Sequence, residues 1–237
     1  MKPFRYAFTV FWAVLAASLL AACSPSPQTA APSQAAPAMP TVEIKAPAGQ
    51  YKVDPNHASL TFRLNHLGLS NYVARFTRFD VTLDLDPANV SASKVTASVE
   101  PASVRTDYSG DYKAGHKESP FAGWDEDLAQ SPKFFNASQF PQATFRSTSV
   151  ESSGPGRFRI NGELSLLGQT HPLTLDATVV GSVAAHPFTQ RGALGFTATG
   201  TFNRSGFGMT HLLQPLLVGD AVTVEFNGEF HQAAPAG

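Results

Sequence analysis

The chain has 237 residues, 15% of them charged, and a formal net charge of −1. That length suits one domain with appendages. The charged fraction is low for a soluble protein, and with both signs scattered nothing marks a nucleic-acid-binding face or a basic tail. Eighteen phenylalanines against two tryptophans point to a large apolar interior.

Residues 1–22 carry Lys2 and Arg5, then an uncharged run from Ala7 to Ala22. This is the layout of a secretory signal: a basic start, an apolar middle and small residues at the end. Length alone would also allow a transmembrane helix of about 20 residues. Leu20-Ala21-Ala22-Cys23 resembles the lipobox of bacterial lipoproteins. That resemblance implies cleavage before Cys23, lipidation of its sulfur and acylation of the new N-terminus. Several acyl chains give stable membrane attachment where one gives marginal binding. Cys23 is the sole cysteine, so it has no intramolecular disulfide partner. Ser24 at the next position favours the outer membrane, facing the periplasm, within the same resemblance. The stretch 23–50 is rich in Pro, Ala, Ser and Gln and reads as a tether, since it lacks the apolar content to fold. Its flexible reach is about 25–30 Å.

From Tyr51 onward the signal is period-two alternation. Leu60, Phe62 and Leu64 alternate with Ser59, Thr61 and Arg63; Phe79, Val81, Leu83 and Leu85 alternate with Asp80, Thr82 and Asp84. Val95, Ala97 and Val99 follow, then Ala143, Phe145 and Ser147. The clearest hairpin spans 157–180: Phe158, Ile160, Gly162, Leu164 and Leu166 share one face, and Leu173, Leu175, Ala177 and Val179 share the next. The intervening 167–172, with Gly168 and Pro172, reads as the connection. Leu194, Phe196, Ala198, Gly200 and Phe202, then Val222, Val224, Phe226, Gly228 and Phe230, complete at least eight strands. Alternating strands with one oily face are antiparallel, so the fold class is all-β: one antiparallel barrel of eight or slightly more strands, over 51–231. An eight-stranded barrel is either filled by side chains or holds one small ligand. The small inward residues Ala97, Gly162, Ala177, Ala198, Gly200 and Gly228 leave room inside or permit sharp coiling. Residues 232–237 read as a frayed tail.

The rhythm breaks over 106–139. Ser131-Pro132 reads as a helix cap followed by proline at the first helical position, opening a short helix through Phe134 and Phe135. The segment is either a lid over the barrel or a loop whose aromatics plug its core.

Several ordered motifs resemble the YceI-like family. They are Tyr51-Lys52-Val53-Asp54-Pro55-Asn56-His57-Ala58-Ser59, Phe134-Phe135-Asn136, Phe140-Pro141, Gly162-Glu163-Leu164-Ser165-Leu166-Leu167-Gly168-Gln169-Thr170, Phe202-Asn203-Arg204-Ser205-Gly206-Phe207-Gly208-Met209 and Val218-Gly219-Asp220. The resemblance covers about 180 residues, 51–230. It implies a lipocalin-like barrel with a long apolar pocket for a polyisoprenoid or other long-chain lipid. Ala74-Arg75, where the family usually has Gly, and an apparent insertion at 108–124 depart from the pattern near the expected mouth.

The residues expected to line such a pocket are Phe62, Leu64, Phe79, Val81, Phe134, Phe135, Phe145, Phe158, Ile160, Leu164, Phe196, Ala198, Phe202 and Phe226. His66 and Arg204 share the inward parity and are the head-group candidates, because an inward charge is costly unless paired or contacting a ligand. An arginine fork suits phosphate; the competing expectation pairs Arg204 with Asp54 or Asp220. No metal is expected, since the seven histidines show no ligand spacing. No serine-nucleophile elbow, phosphate loop or dinucleotide fingerprint occurs, so no cofactor and no catalysis are expected; a homodimer is compatible with the sequence. Alternatives are an enzyme acting on an envelope lipid, with a nucleophile near His66 or His171, a transmembrane barrel with its oily face outward, and a filled barrel serving as an interaction module.

The lipobox reading predicts that a metabolically supplied palmitate analogue labels the protein. Cys23→Ser abolishes the label and moves the domain to the soluble periplasmic fraction; unchanged membrane association contradicts it.

Overall fold

The computed structural model describes residues 43–213 and 217–234; the signal segment, Cys23 and most of the tether lie outside the described residues. The alternating stretches all form strands: β1 (Gly49–His66), β2 (Ser70–Phe76), β3 (Phe79–Leu85), β4 (Lys94–Val99), β5 (Val104–Arg105), β6 (Ala143–Gly154), β7 (Arg157–Leu166), β8 (Gln169–Val183), β9 (Ala193–Asn203) and β10 (Val218–Gln232). Two short helices, α1 (Tyr112–Gly115) and α2 (Trp124–Gln130), interrupt them between β5 and β6.

Eight strands close into an antiparallel barrel in the order β1-β3-β4-β6-β7-β8-β9-β10, with β10 returning to β1. On its other side β1 changes partner along its length. Residues 49–52 pair with β3, whereas 60–66 pair with β2, which in turn pairs with β5. The change of partner follows a large irregularity in β1, where the register with β10 shifts between Val53 and Ala58. A bulge of this kind bends a strand and lets one strand serve two parts of a wall.

The oily faces point inward: Phe62, Val81, Leu83, Phe145, Phe158, Leu173 and Val222 are buried. This excludes the outward-facing transmembrane arrangement. Of the two readings the sequence allowed for the inward glycines, room inside does not hold. A Cβ on Gly162 would collide with the Phe145 ring and come within 2.5 Å of Arg146 O; one on Gly200 would lie 2.6 Å from Leu175 Cδ2 and 2.8 Å from Thr174 O. At Gly228 the Phe226 ring occupies the space. These glycines are seats for neighbouring side chains at sharply coiled points of the wall, which is the second meaning a strand glycine carries.

Three local expectations fail for identifiable reasons. The β7–β8 connection is two residues, not six: Leu166 pairs with Gln169, and Leu167 and Gly168 have φ of 52° and 74°. This is the turn twist that matches paired strands. Pro172 lies inside β8 opposite Glu163, tolerated because β9 pairs with β8 only from Asp176, so one edge of β8 is free there. The helix lies before Ser131-Pro132, not after it. Asp125, Glu126 and Asp127 in its first turn suit the positive end of the helix. Ser131 N donates to Asp127 O at 2.9 Å as the last turn closes. A Ser-Pro pair also marks a helix end, because the residue before proline avoids helical backbone.

The domain also starts earlier and ends later than its alternation. Ala46 is buried and Ile44 packs on the core. Ser182 Oγ accepts from Lys45 N at 2.7 Å and donates to Glu43 O at 3.0 Å, and Tyr51 OH donates to Pro47 O at 2.6 Å. At the other end Gln232 N donates to Gly192 O and Ala233 N to Gln50 O, both at 2.8 Å. The Pro/Ala-rich composition of 24–50 concealed the two anchoring side chains.

Gly200→Ala is expected to cost about 1–3 kcal/mol, as overpacking against backbone does. Gly181→Ala, whose Cβ would meet nothing within 4 Å, is expected to be neutral or stabilising by up to about 1 kcal/mol. Urea unfolding of the two variants checks the contrast; equal effects contradict it.

Candidate functional site

Inside the barrel lies a cavity of about 230 Å³, where a single water needs roughly 10–15 Å³ by a comparable measure. Its wall is built from the inward positions of the eight barrel strands, so the one-sided alternation that closes the sheet also makes the lining apolar. Every apolar residue expected to line a pocket faces it except Phe134. Ser93 and Ser98 are the uncharged polar residues of the lining, and Arg204 is its charged one. Ser93 Oγ is already engaged, accepting from Asp86 N at 2.9 Å.

Aromatic rings line the wall from end to end. Towards the α2 end, Phe62, Phe76 and Phe135 form a triad with centroids 5.4–6.0 Å apart. Elsewhere Phe79 meets Phe226 edge-on at 6.2 Å, and Phe230 contacts Phe196 at 6.0 Å and Phe226 at 5.8 Å. Phe76, Ile44 and Met209 also line the cavity and were not singled out as pocket residues from the sequence. Phe76 carries a usable signal, since it shares parity with Tyr72 and Ala74. Ile44 and Met209 sit in irregular segments where parity says nothing.

Segment 106–141 closes over one end and also contributes to the wall. Phe135 N donates to Leu128 O at 3.1 Å and Ala137 N to Ala129 O at 2.8 Å, which folds the turn after α2 back beneath the helix. Phe135 is thereby buried against Phe62. Its neighbour Phe134 points the other way and meets the His211 ring edge-on at 5.5 Å, because adjacent residues in a tight turn diverge. The expected insertion 108–124 buttresses α2. Tyr112 OH hydrogen-bonds Ser119 Oγ and Asp127 Oδ2, both at 2.7 Å. Its ring stacks on His116 at 4.5 Å, with Trp124 edge-on to both. Burial pushes the Tyr112 phenol pKa up. Asp125 Oδ1 accepts from Thr106 N and Thr106 Oγ1 at 2.8 and 2.7 Å, tying α2 to the end of β5.

Arg204 is 2% exposed, inward as its parity predicts, but neither expected partner holds it. Its guanidinium donates to four backbone carbonyls: Nε to Gly219 O at 2.9 Å, one Nη to Met209 O at 2.8 Å and His211 O at 2.9 Å, the other to Val218 O at 3.1 Å. Asp220 instead accepts from Ser205 N at 2.8 Å and Ser205 Oγ at 2.7 Å. Desolvation lowers the Arg204 pKa and the nearby Asp220 charge opposes that; the group remains a cation, as arginine does in proteins. Four of its five N–H groups are spent, so one hydrogen bond remains for anything in the cavity. The two-pronged grip on a phosphate that the sequence allowed is not available.

His66 is exposed and faces no cavity. Strand parity misplaces it because the β1–β10 register shifts between Leu64 and His66, and the chain turns at Leu67, whose φ is 58°. The His171 ring lies edge-on to Phe207 at 4.9 Å, with Nε2 buried and lacking a hydrogen-bond partner. Among the described residues, neither histidine is hydrogen-bonded to a hydroxyl, thiol or carboxylate. The expectation that histidines do not converge fails at one place outside the cavity, where His186, His231 and Glu229 meet. They come from distant parts of the chain, which is why spacing concealed them.

A closed antiparallel barrel with an apolar interior and one buried cation at an end is a lipocalin-like architecture. The YceI-like domain matches residues 51–230, and the chain belongs to the YceI-like family. A UPF0312 protein of Shewanella baltica (strain OS185) is 39% identical over 174 residues, covering 73% of this chain and 83% of its own. Among solved structures, Burkholderia cenocepacia BcnA superposes with a TM-score of 0.61 at 20% identity, over 75% of this chain and 98% of its own. A polyisoprenoid binding domain from Saccharophagus degradans, implicated in plant cell wall breakdown, superposes with a TM-score of 0.50 at 13% identity, over 77% and 98%. These two share the fold.

Arg204→Ala leaves four carbonyls without their donor and is expected to cost at least about 3 kcal/mol. Arg204→Lys recovers little, since one ammonium cannot reach carbonyls spread from Met209 to Gly219. Chemical denaturation of both variants decides; a lysine variant of full stability contradicts the clamp.

Proposed function

We propose that the barrel interior holds a polyisoprenoid or similar long-chain amphiphilic lipid and that the protein stores, ferries or senses it without catalysis. The observation that carries this reading is the cavity: lined by apolar side chains contributed by every barrel strand and, among the described residues, charged only at Arg204. Such a wall offers no directional polar contacts along its length, so it selects for apolar chain and tolerates variation within it. Burial stabilises the chain by about 25 cal/mol per Å² removed from water. A polar end group belongs at the Arg204 end, where the one remaining N–H of the guanidinium is the feature able to receive it. The family and the polyisoprenoid binding domain of Saccharophagus degradans support the same class of ligand.

Anchoring through Cys23 completes the proposal. Acyl chains at residue 23, with the Pro/Ala/Ser-rich stretch that follows read as a tether, would keep the barrel within a few tens of ångströms of the bilayer, at the periplasmic face of the outer membrane. A lipid leaving the membrane would then meet a high local concentration of its carrier.

Organic extraction of natively expressed protein, followed by mass spectrometry, is expected to release a long-chain lipid in near-stoichiometric amount. Ala198 faces the cavity, and Ala198→Phe is expected to fold with unchanged circular dichroism but to lose the co-purifying lipid. An empty wild-type extract, or a folded variant with its full complement, overturns the reading.

A further inference from the structure

The interruption of the β1–β10 ladder creates a second polar cluster on the outside of the barrel. Val53 pairs with Phe230 and Ala58 with Gly228, so residues 54–57 of β1 bulge opposite Glu229 alone. Asp54 shapes the bulge: its Oδ1 accepts from Asn56 N at 2.8 Å and Asn56 Nδ2 at 3.1 Å, while Oδ2 lies 2.9 Å from His57 Nδ1. Phe230 points into the core, so Glu229 and His231 on either side of it point out. The β8–β9 loop folds onto the same spot. His186 N donates to Arg191 O at 2.7 Å and Gln190 N to His186 O at 2.8 Å, which sets the His186 ring against His231 with centroids 4.7 Å apart.

The ligating atoms therefore converge. His231 Nε2 lies 3.0 Å from Glu229 Oε1 and 3.7 Å from Asp54 Oδ2, and His186 Nε2 lies 3.5 Å from Glu229 Oε1. The His186, Glu229 and His231 atoms all fall within 4.8 Å of one another. Zinc binds nitrogen and carboxylate oxygen at about 2.0–2.2 Å in a tetrahedron, which places neighbouring ligand atoms about 3.3–3.5 Å apart. The observed spacings bracket that edge. His231 Nε2 is buried and makes no aligned hydrogen bond although two carboxylates flank it. Among the described residues, no lysine or arginine pairs with Asp54 or Glu229; the side chains of opposite type beside them are histidines alone. Two carboxylates facing two imidazoles without a strong cation is the charge and donor set that a divalent ion completes. Asp54, itself held by His57, adds negative charge beside these three residues without joining them.

We propose that His186, Glu229 and His231 bind a divalent transition-metal cation of the zinc type, with water completing its coordination. Imidazole and carboxylate donors suit such ions over calcium or magnesium. The ion joins β10 to the β8–β9 loop beside the point where the β1–β10 ladder lapses. The site lies outside the cavity and does not depend on the lipid reading.

The test titrates zinc chloride into the full chain, purified in detergent and stripped with a chelator, by calorimetry. One equivalent is expected to bind, with Kd at or below about 10 µM. His186→Ala and His231→Ala are each expected to weaken binding by about tenfold or more, and His116→Ala to leave it unchanged. Zinc raises the melting temperature of the unmodified chain, as a ligand that binds only the folded state must, and not that of His186→Ala. Cobalt substituted for zinc is expected to give the intense visible bands of tetrahedral coordination, absent in His186→Ala. Should His231→Ala fail to fold, His186→Ala carries the same test from a loop outside the ladder. No saturable zinc binding overturns the proposal, as does affinity unchanged in His186→Ala. Melting that depends on pH but not on zinc overturns it too, as a cluster held by protonated histidine alone.

Discussion

The pairing of β10 with β1 is the constraint on which the rest depends. Without it the sheet has two free edges, the apolar faces of β1 and β10 meet water, and there is no inside. With it the wall closes, yet the pairing is not uniform. β1 is long enough to pair with β10 along both halves while changing its other partner from β3 to β2. The bulge at 54–57 permits that change, so the irregular point of the seam is also what lets a single strand complete both ends of the barrel.

Closure creates an interior that side chains only partly fill. A dry void of about 230 Å³ forfeits on the order of 5 kcal/mol at about 24 cal/mol per Å³. The wall limits the loss by seating rings and branched side chains over backbone: Phe145 on Gly162, Leu175 on Gly200, Phe226 on Gly228. The glycines therefore thicken the wall locally while the space along the axis persists. An apolar chain in that space restores the missing dispersion contacts, so occupancy and stability are coupled through the same residues.

The ends of the barrel are held by polar contacts of quite different kinds. At one end, Arg204 gathers carbonyls from Met209, His211, Val218 and Gly219, fixing irregular backbone over the cavity with a single buried cation. Burial and the neighbouring positive charge of Lys133 lower the His211 pKa. The helical segment beside it is braced by Tyr112 and Asp125, and it delivers Phe135 to the wall. At the other end, Glu43 to Gln50 adds a backbone strap anchored by Ser182, Tyr51 and Gln232.

Strict alternation in the sequence determined the strand class, all eight barrel strands and the apolar character of the lining, because side-chain direction in a strand has a period of two and needs no knowledge of partners. The same rule placed Phe62, Phe158, Phe196 and Ala198 at the cavity and Arg204 inside it. It gave no guidance wherever the backbone leaves that period: His66 lies beyond a register shift, Phe134 sits in a turn, and Ile44 belongs to a stretch whose composition reads as tether. Only the tertiary structure decided what Arg204 holds, where the glycines direct their neighbours, and that His186, Glu229 and His231 share one corner with Asp54. Those relations join residues from 2 positions apart (Phe226 and Gly228) to 177 (Asp54 and His231), and period-two alternation carries no information about any of them.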